Sequence, residues 1–139
     1  MVADQLSLID TDTLSYILKR KEPAYQNSLH YLQKFGGLKI SCLSYYECRW
    51  GYQAIGATKK LQVFQALLQI TEVFYLNPAI LEKASEVYGV LKQAGWPTGE
   101  FDLLIGTTAL VNGLIMVTNN EKHYQPLIDY FGLVVENWM

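Results

Sequence analysis

The stretch at residues 99–120, GEFDLLIGTTALVNGLIMVTNN, constrains the fold more than any other part of the chain. Asp102 stands near the start of a helical pattern of small and apolar residues, which Asn112 and Gly113 end in the manner of a left-handed cap. The apolar run that follows, Leu-Ile-Met-Val, is typical of a strand buried on both faces. Such strands belong to parallel sheets covered by helices, so this one unit already indicates an α/β fold.

The rest of the chain repeats this alternation of strand and helix patterns. Apolar runs that predict strands occur at residues 6–10, 38–42, 72–76, 114–117 and 133–135. Helical patterns occupy most of the sequence between them, which predicts a three-layer α/β/α domain with a central parallel sheet. With 139 residues and no visible linker or repeat, residues 1–139 are expected to form a single domain.

The composition narrows the classes of function. The formal net charge of −2 gives no broad basic surface, so a nucleic acid would have to be held by local cations or by a metal ion. No apolar run approaches the roughly 20 residues that cross a bilayer, and no basic leader is visible, so we expect a cytoplasmic protein with no membrane association. Cys42 and Cys48 have no zinc-type spacing with each other or with the two histidines.

Four polar side chains are predicted to meet at one edge of the sheet. Asp10 ends the first strand, Glu47 lies in the first turn of the helix after the second strand, and Asn120 follows the fourth strand. Together with Asp102 they fall at the carboxyl ends of the strands, where α/β sheets bind ligands. Three carboxylates this close repel one another unless a cation neutralises them, and oxygen ligands suit Mg²⁺ or Mn²⁺. Such an ion can activate a phosphodiester for attack by water.

Each of these residues also has a purely structural interpretation. Asp10 could cap the first helix, and Asp102 suits a helix dipole. Glu47 could be the return half of a capping box that begins at Ser44, and Asn120 could be an ordinary turn residue. Their joint placement at one edge favours a functional site.

Two further groups of side chains have open interpretations. Short basic clusters could bind phosphates or could be solvated surface; they are Lys19, Arg20, Lys21, Lys59 and Lys60. Aromatic residues in the third helix could stack on bases, or could be core or dimer contacts; they are Tyr45, Tyr46, Trp50 and Tyr52.

Four segments together resemble PIN-domain ribonucleases of the VapC toxin type. LIDTDTLSYILK at residues 8–19 resembles the opening of that family, and ISCLSYYECRWG at residues 40–51 resembles its second block. FDLLIGTTALVNGLIMVTNN at residues 101–120 is similar to its third and fourth blocks, and LVVENWM at residues 133–139 to its usual ending. The segments occur in the order of the family and span nearly the whole chain.

The resemblance implies a PIN-like fold and a metal-dependent endoribonuclease that cuts structured RNA such as tRNA. By this likeness Asp10, Glu47 and Asp102 occupy the acidic positions of the family. Asp10 and Asp102 are the expected direct ligands of Mg²⁺ (or Mn²⁺), and Glu47 binds directly or through water. Asn120 is expected to position the attacking or a metal-bound water. The resemblance also implies a homodimer and a cognate VapB-like antitoxin that blocks the acidic cleft.

The chain departs from the family pattern at three positions. Asp12 stands where asparagine is usual, and Asn120 stands where many members carry a fourth acid. Gly106 replaces a common alanine, which costs about 1 kcal/mol of helix propensity unless close packing requires it.

Other families fit the residues less well. The segment Asp10-Thr-Asp-Thr13 also resembles the nucleophile motif of haloacid-dehalogenase phosphatases, but Asn119 and Asn120 stand where their later paired acids would lie. A receiver domain would need an aspartate after the third strand, where Leu76-Asn77 stand instead. A PIN-like module that binds RNA or protein without cutting is a further alternative, which the intact trio of acids argues against.

Overall fold

The computed structural model of this chain describes residues 5–96 and 99–139. Within them, strands and helices alternate along the chain as β1 (Ser7–Ile9), α1 (Thr11–Leu18), α2 (Ala24–Phe35), β2 (Leu38–Ser41), α3 (Cys42–Ala54), α4 (Thr58–Leu68), β3 (Thr71–Phe74), α5 (Pro78–Gln93), α6 (Glu100–Val111), β4 (Ile115–Val117), α7 (Glu121–Phe131) and β5 (Val135–Glu136).

The five strands form one parallel sheet in the order β3-β2-β1-β4-β5. Alternate residues of the central strands enter two separate cores, as the two-residue period of a strand requires. Leu8 and Met116 pack with α5, α6 and α7, whereas Ile9 and Val117 pack with α1, α2, α3 and α4. The predicted three-layer α/β/α architecture is therefore confirmed.

Two strands lie elsewhere than predicted. β3 is Thr71–Phe74 rather than residues 72–76, and β5 is Val135–Glu136 rather than residues 133–135. Leu133 is buried, but its N–H donates to the carbonyl of Leu127 and so closes the end of α7 after the left-handed Gly132. Its apolar character reflects helix-end packing and not strand pairing.

The capping box predicted at Ser44 is wrong. Helix α3 begins at Cys42, and its N-cap is Ser41, whose side chain accepts a hydrogen bond from the amide of Leu43. Ser44 therefore lies inside the first turn, and Glu47 lies in the second turn instead of the first. The structural interpretation of Glu47 as a capping residue is thereby removed.

The close packing of α6 on α7 explains Gly106. A Cβ placed on Gly106 would lie 2.6 Å from Leu127 Cδ2 and 3.2 Å from Tyr124 Cδ1, and both of these side chains are fully buried. Glycine thus allows the buried side chains of Leu127 and Tyr124 in α7 to pack directly against α6.

Within the described part of the chain, none of the helices is both long and apolar enough to cross a membrane.

Candidate active site

Asp10 is the most buried of the predicted site residues. It directly follows β1 and is the N-cap of α1, with only 6% of its surface exposed. Its Oδ1 accepts from the amide of Thr11 at 2.8 Å, and its Oδ2 accepts from the hydroxyl of Thr118 at 2.9 Å. Burial, and then the nearby charge of Asp12, raise the pKa of Asp10 to about 6 despite these hydrogen bonds. The capping interpretation of Asp10 is confirmed, and it coexists with an unusual electrostatic environment.

Asp12 joins the start of α1 to the end of β4. Its Oδ1 accepts from the amide of Thr13, whereas its Oδ2 accepts from the amide of Asn119 at 3.1 Å and from Asn120 Nδ2 at 3.3 Å. Asn120 stands at the N-cap position of α7 without capping that helix through its side chain. Asp12 and Asn120, which both differ from the family pattern, are therefore hydrogen-bonded to each other.

Glu47 reaches the same edge through Thr11. Thr11 Oγ1 lies 2.9 Å from Glu47 Oε1 and 2.9 Å from Ser44 Oγ. Since a hydroxyl has one proton, Thr11 donates to the carboxylate and accepts from Ser44. Ser44 is fully buried, so this chain of hydrogen bonds fixes the carboxyl group of Glu47 against the first residue of α1.

Asp102 lies in the first turn of α6, as predicted, and pairs with a histidine. His123 Nδ1 lies 3.3 Å from Asp102 Oδ2, and both side chains are partly exposed. Burial raises the pKa of Asp102, His123 opposes this shift, and the charge of Asp12 adds to it. Asp102 and Asp12 are thus close enough to interact electrostatically.

Tyr124 belongs to the site but was not among the predicted residues. Its hydroxyl is buried and has no hydrogen-bond partner of normal geometry among the described residues, yet it lies close enough to Asp10 to lower the pKa of that carboxyl group. Burial raises the pKa of Tyr124, and the charges of Asp10, Asp102 and Asp12 raise it further. The signal in the sequence was its position, because His123 and Tyr124 follow the polar run 118–120 in the first turn of a helix.

The structure thus brings the four predicted residues Asp10, Glu47, Asp102 and Asn120 to one edge of the sheet. As they stand, no three acidic, histidine or cysteine side chains in residues 5–96 and 99–139 are close enough together to hold a metal ion. The carboxylates instead accept hydrogen bonds from side chains and amides of the protein. Their environment is nonetheless one of clustered, partly buried negative charge.

Comparison with known proteins identifies a family for this chain. The sequence model of the PIN domain family matches residues 7–126. The chain is similar to Ribonuclease VapC1 of Methanocaldococcus jannaschii, at 30% identity over 92% of this chain and 85% of that protein. It is also similar to the tRNA(fMet)-specific endonuclease VapC of Shigella flexneri, at 25% identity over 94% of this chain and 96% of that protein.

The fold agrees with a solved relative as well. The crystal structure of VapBC2 from Rickettsia felis, bound to a DNA fragment from its promoter, matches with a TM-score of 0.84 and 24% identity. The match covers 96% of this chain and 99% of that one. The family model spans most of the chain, and the relative at 30% identity covers nearly all of it. This chain therefore belongs to the PIN domain family and, within it, to the VapC ribonucleases.

Proposed function

We propose that this protein is a metal-dependent endoribonuclease and the toxin component of a toxin–antitoxin pair. The proposal rests on one observation: carboxylates at or near the starts of helices α1, α3 and α6 come together at one edge of the sheet. The charge of Asp12 raises the pKa of both Asp10 and Asp102, and Glu47 is held against the same helix start by Thr11. Family membership supplies the reaction class, the cleavage of RNA.

The donor set fits a hard divalent cation. It consists of carboxylate, amide and hydroxyl oxygens, the ligands that Mg²⁺ and Mn²⁺ prefer. Burial, with a smaller contribution from the charge of Asp12, raises the pKa of Asp10 and Asp102, so their ionised forms are unfavourable here and a cation would relieve this cost. In the proposal Asp10 and Asp102 are direct ligands, and Glu47 binds directly or through water. When bound, the ion would polarise the scissile phosphodiester and ready a water for in-line attack.

The surrounding side chains orient these acids. Thr118 donates to Asp10, and Thr11 donates to Glu47, so each carboxyl group is fixed by a hydroxyl. Asp12 holds the side chain of Asn120, which in the proposal positions the attacking or a metal-bound water. His123 contacts Asp102 and is placed to stabilise that carboxylate in its ionised form.

The proposed substrate and protein partner follow from the relatives. The relative from Shigella flexneri is named for cleavage of tRNA(fMet), and we propose structured RNA of the tRNA class as the substrate here. The solved relative is a VapBC complex, so we propose a VapB-like antitoxin as partner. Because tRNA acts in the cytoplasm, the proposed activity belongs there.

We also propose a homodimer formed through α5 and α6. Leu81 and Tyr88 of α5 are about half exposed, and with Leu103 and Leu104 of α6 they line a largely apolar cavity of about 380 Å³. An exposed surface of this kind is typical of a protein–protein contact.

Cleavage of bulk tRNA by purified protein, in Mg²⁺ or in EDTA, tests the proposal. We expect discrete fragments from the wild type in Mg²⁺ and none in EDTA. Asp10→Asn and Asp102→Asn should each reduce the rate at least about 100-fold, because changes even to residues that support metal ligands cost 10–100-fold. Asp129→Asn is the matched control, since Asp129 is an exposed acid of α7 whose side chain accepts a hydrogen bond from Gln125 and lies outside the site.

Either of two results would contradict the proposal. Cleavage that persists in both site variants would overturn the site assignment. Intact RNA after incubation with folded wild type and Mg²⁺ would favour a non-catalytic PIN-like binding module. Membership of the PIN domain family removes the support for the phosphatase alternative.

A further inference from the structure

The positive charge of this chain is concentrated at two helix ends away from the acidic edge. Five of its eleven lysine and arginine residues are Lys19, Arg20 and Lys21 after α1 and Lys59 and Lys60 in the first turn of α4. Residues 13–21 and 48–71 contain no aspartate or glutamate. A chain with a net charge of −2 thus has one strongly basic region, which the proposed chemistry does not use.

Three of these lysines border one small cavity, whose wall is mostly apolar side-chain surface. Lys19, Lys59 and Lys60 line a space of about 140 Å³ together with Leu18, Tyr52 and Val63. All three lysines are exposed. The ion pairs between described residues are formed by other side chains, so none of the described carboxylates neutralises these lysines. We call this cavity, with its three lysines, the basic pocket.

The helix ends that form the basic pocket are rigidly tied to the proposed active site. Helix α1 begins beside Asp10 and Asp12 and ends next to Lys19, and its eight residues span about 12 Å. Helix α3 contributes Glu47 to the acidic edge and Tyr52 to the pocket. A spacing of about 12 Å corresponds to only a few nucleotides along an RNA strand.

We propose that the basic pocket binds a backbone phosphate of the substrate RNA, a few nucleotides from the phosphodiester that is cut. The proposal rests on the proposed nuclease function and extends it to how the substrate is held. Lysine ammonium groups bind phosphates as point charges, and the long side chains of three lysines at one cavity allow their charges to reach a single compact anion. The N-cap of α4 is Ala57, which has no capping side chain, so the positive end of that helix dipole adds to the attraction.

An RNA backbone suits this pocket better than an acidic protein segment. A bound RNA must pass the acidic edge, which repels it, and the chain has no other region where so many cations lie without acids. Binding at the basic pocket would offset that repulsion at a fixed distance from the cut. An acidic peptide is the competing occupant, and the experiment separates the two.

Salt-dependent binding of fluorescently labelled bulk tRNA tests the proposal. Binding is measured by anisotropy from 50 to 300 mM KCl, in an Asp102→Asn background so that the RNA stays intact. We expect Lys59→Ala/Lys60→Ala to weaken binding about tenfold or more at the lowest salt. The slope of log K against log[salt] should become shallower by about 0.7–0.9 for each phosphate that the protein no longer neutralises. Lys59→Arg/Lys60→Arg should restore both quantities, because arginine retains the charge.

Lys92→Ala is the matched control, since Lys92 is an exposed lysine of α5 in the opposite helical layer. It should leave the affinity and the salt slope unchanged. With Asp102 intact, the double variant should raise KM for tRNA cleavage with little change in kcat, because the pocket is remote from the reacting phosphate.

The outcomes distinguish failure of this inference from failure of the nuclease proposal. If the wild type cuts tRNA and the double variant keeps its affinity and slope, the basic pocket is not a phosphate site. If the double variant binds tRNA normally but loses binding of polyglutamate, the pocket binds acidic protein, and the inference is overturned. If the wild type cuts no RNA, the nuclease proposal fails, and the anisotropy measurement still decides the pocket.

Discussion

Asp10 illustrates how a single residue can serve both the fold and the proposed chemistry. It caps α1 and is held by Thr11 and Thr118, so its carboxyl group is well ordered. It is also buried beside Asp12, so ionising it without a cation is unfavourable. This combination is typical of functional sites, where a group that the function requires lowers the stability of the folded protein.

The raised pKa of Asp10 predicts a pH-dependent loss of stability in the metal-free protein. A folded-state pKa of about 6, against 3.8 unfolded, means that the folded state binds the proton more tightly. The stabilisation is fully present below about pH 4 and is lost as the pH rises through 6, by up to roughly 3 kcal/mol at 1.36 kcal/mol per unit. Asp10→Asn carries no charge, so at pH 8 in EDTA it should be more stable than the wild type.

Urea unfolding of both proteins in EDTA at pH 4.5 and pH 8 measures this effect. The difference between the variants should shrink at pH 4.5 to about a third of its value at pH 8, and Mg²⁺ at pH 8 should stabilise the wild type but not Asp10→Asn. Equal stability of the two proteins at pH 8 without metal would show that the charge on Asp10 is well tolerated.

At the scale of the elements, the packing of α6 against α7 controls the geometry of the site. Gly106 lets Leu127 and Tyr124 pack against α6, and α7 carries His123 and Tyr124 to the acidic edge. A glycine inside a helix is usually replaced by alanine with a gain of about 1 kcal/mol, but not where a Cβ has no room.

Gly106→Ala and Gly89→Ala should therefore have opposite effects. At Gly106 the overpacking cost of about 1–3 kcal/mol should exceed the gain in propensity, because Leu127 and Tyr124 are fully buried and cannot yield freely. At Gly89, inside α5, a Cβ would meet nothing within 4 Å, so alanine should stabilise the protein by up to about 1 kcal/mol. Denaturant unfolding of both variants gives the comparison, and a stabilised Gly106→Ala would show that α7 can shift.

At the scale of the whole molecule, the proposed functions occupy different regions of the surface. The acidic edge lies at the carboxyl ends of the strands, the basic pocket lies at the far end of α1, and the apolar cavity lies between α5 and α6. Dimerisation through α5 and α6 would therefore leave the basic pocket in the other helical layer uncovered.

The proposed dimer can be tested with two tyrosines of equal exposure. Tyr88→Glu on α5 should weaken self-association about 30-fold or more, because removing a buried aromatic anchor from an interface costs about 2 kcal/mol or more. Tyr130→Glu on α7 is the control, since Tyr130 is 49% exposed and Tyr88 is 50% exposed. Sedimentation velocity over a range of concentrations measures both, and an unchanged dimer in Tyr88→Glu would exclude this surface.

The order of strand and helix patterns predicted the architecture of the fold, and it assigned four polar residues to one edge of the sheet. Alternating strand and helix patterns are local, and the rule that parallel strands carry their ligands at the carboxyl ends needs no coordinates. Asp10, Glu47, Asp102 and Asn120 could therefore be assigned to one edge from the order of the elements. Apolar runs also predicted the positions of β1, β2 and β4. Leu133 was wrongly assigned to a strand, because apolar residues pack at helix ends as well as in strands.

The contacts between those residues, in contrast, depend on how separate elements pack. Ser44 matched a capping motif, yet it bonds to Thr11, which lies 33 residues earlier in the chain. Asp12 with Asn120, Asp102 with His123, and Gly106 with Leu127 likewise meet only when separate elements pack. Hydrogen-bond partners and pKa shifts depend on burial and distance in three dimensions, and one-dimensional patterns do not encode either quantity.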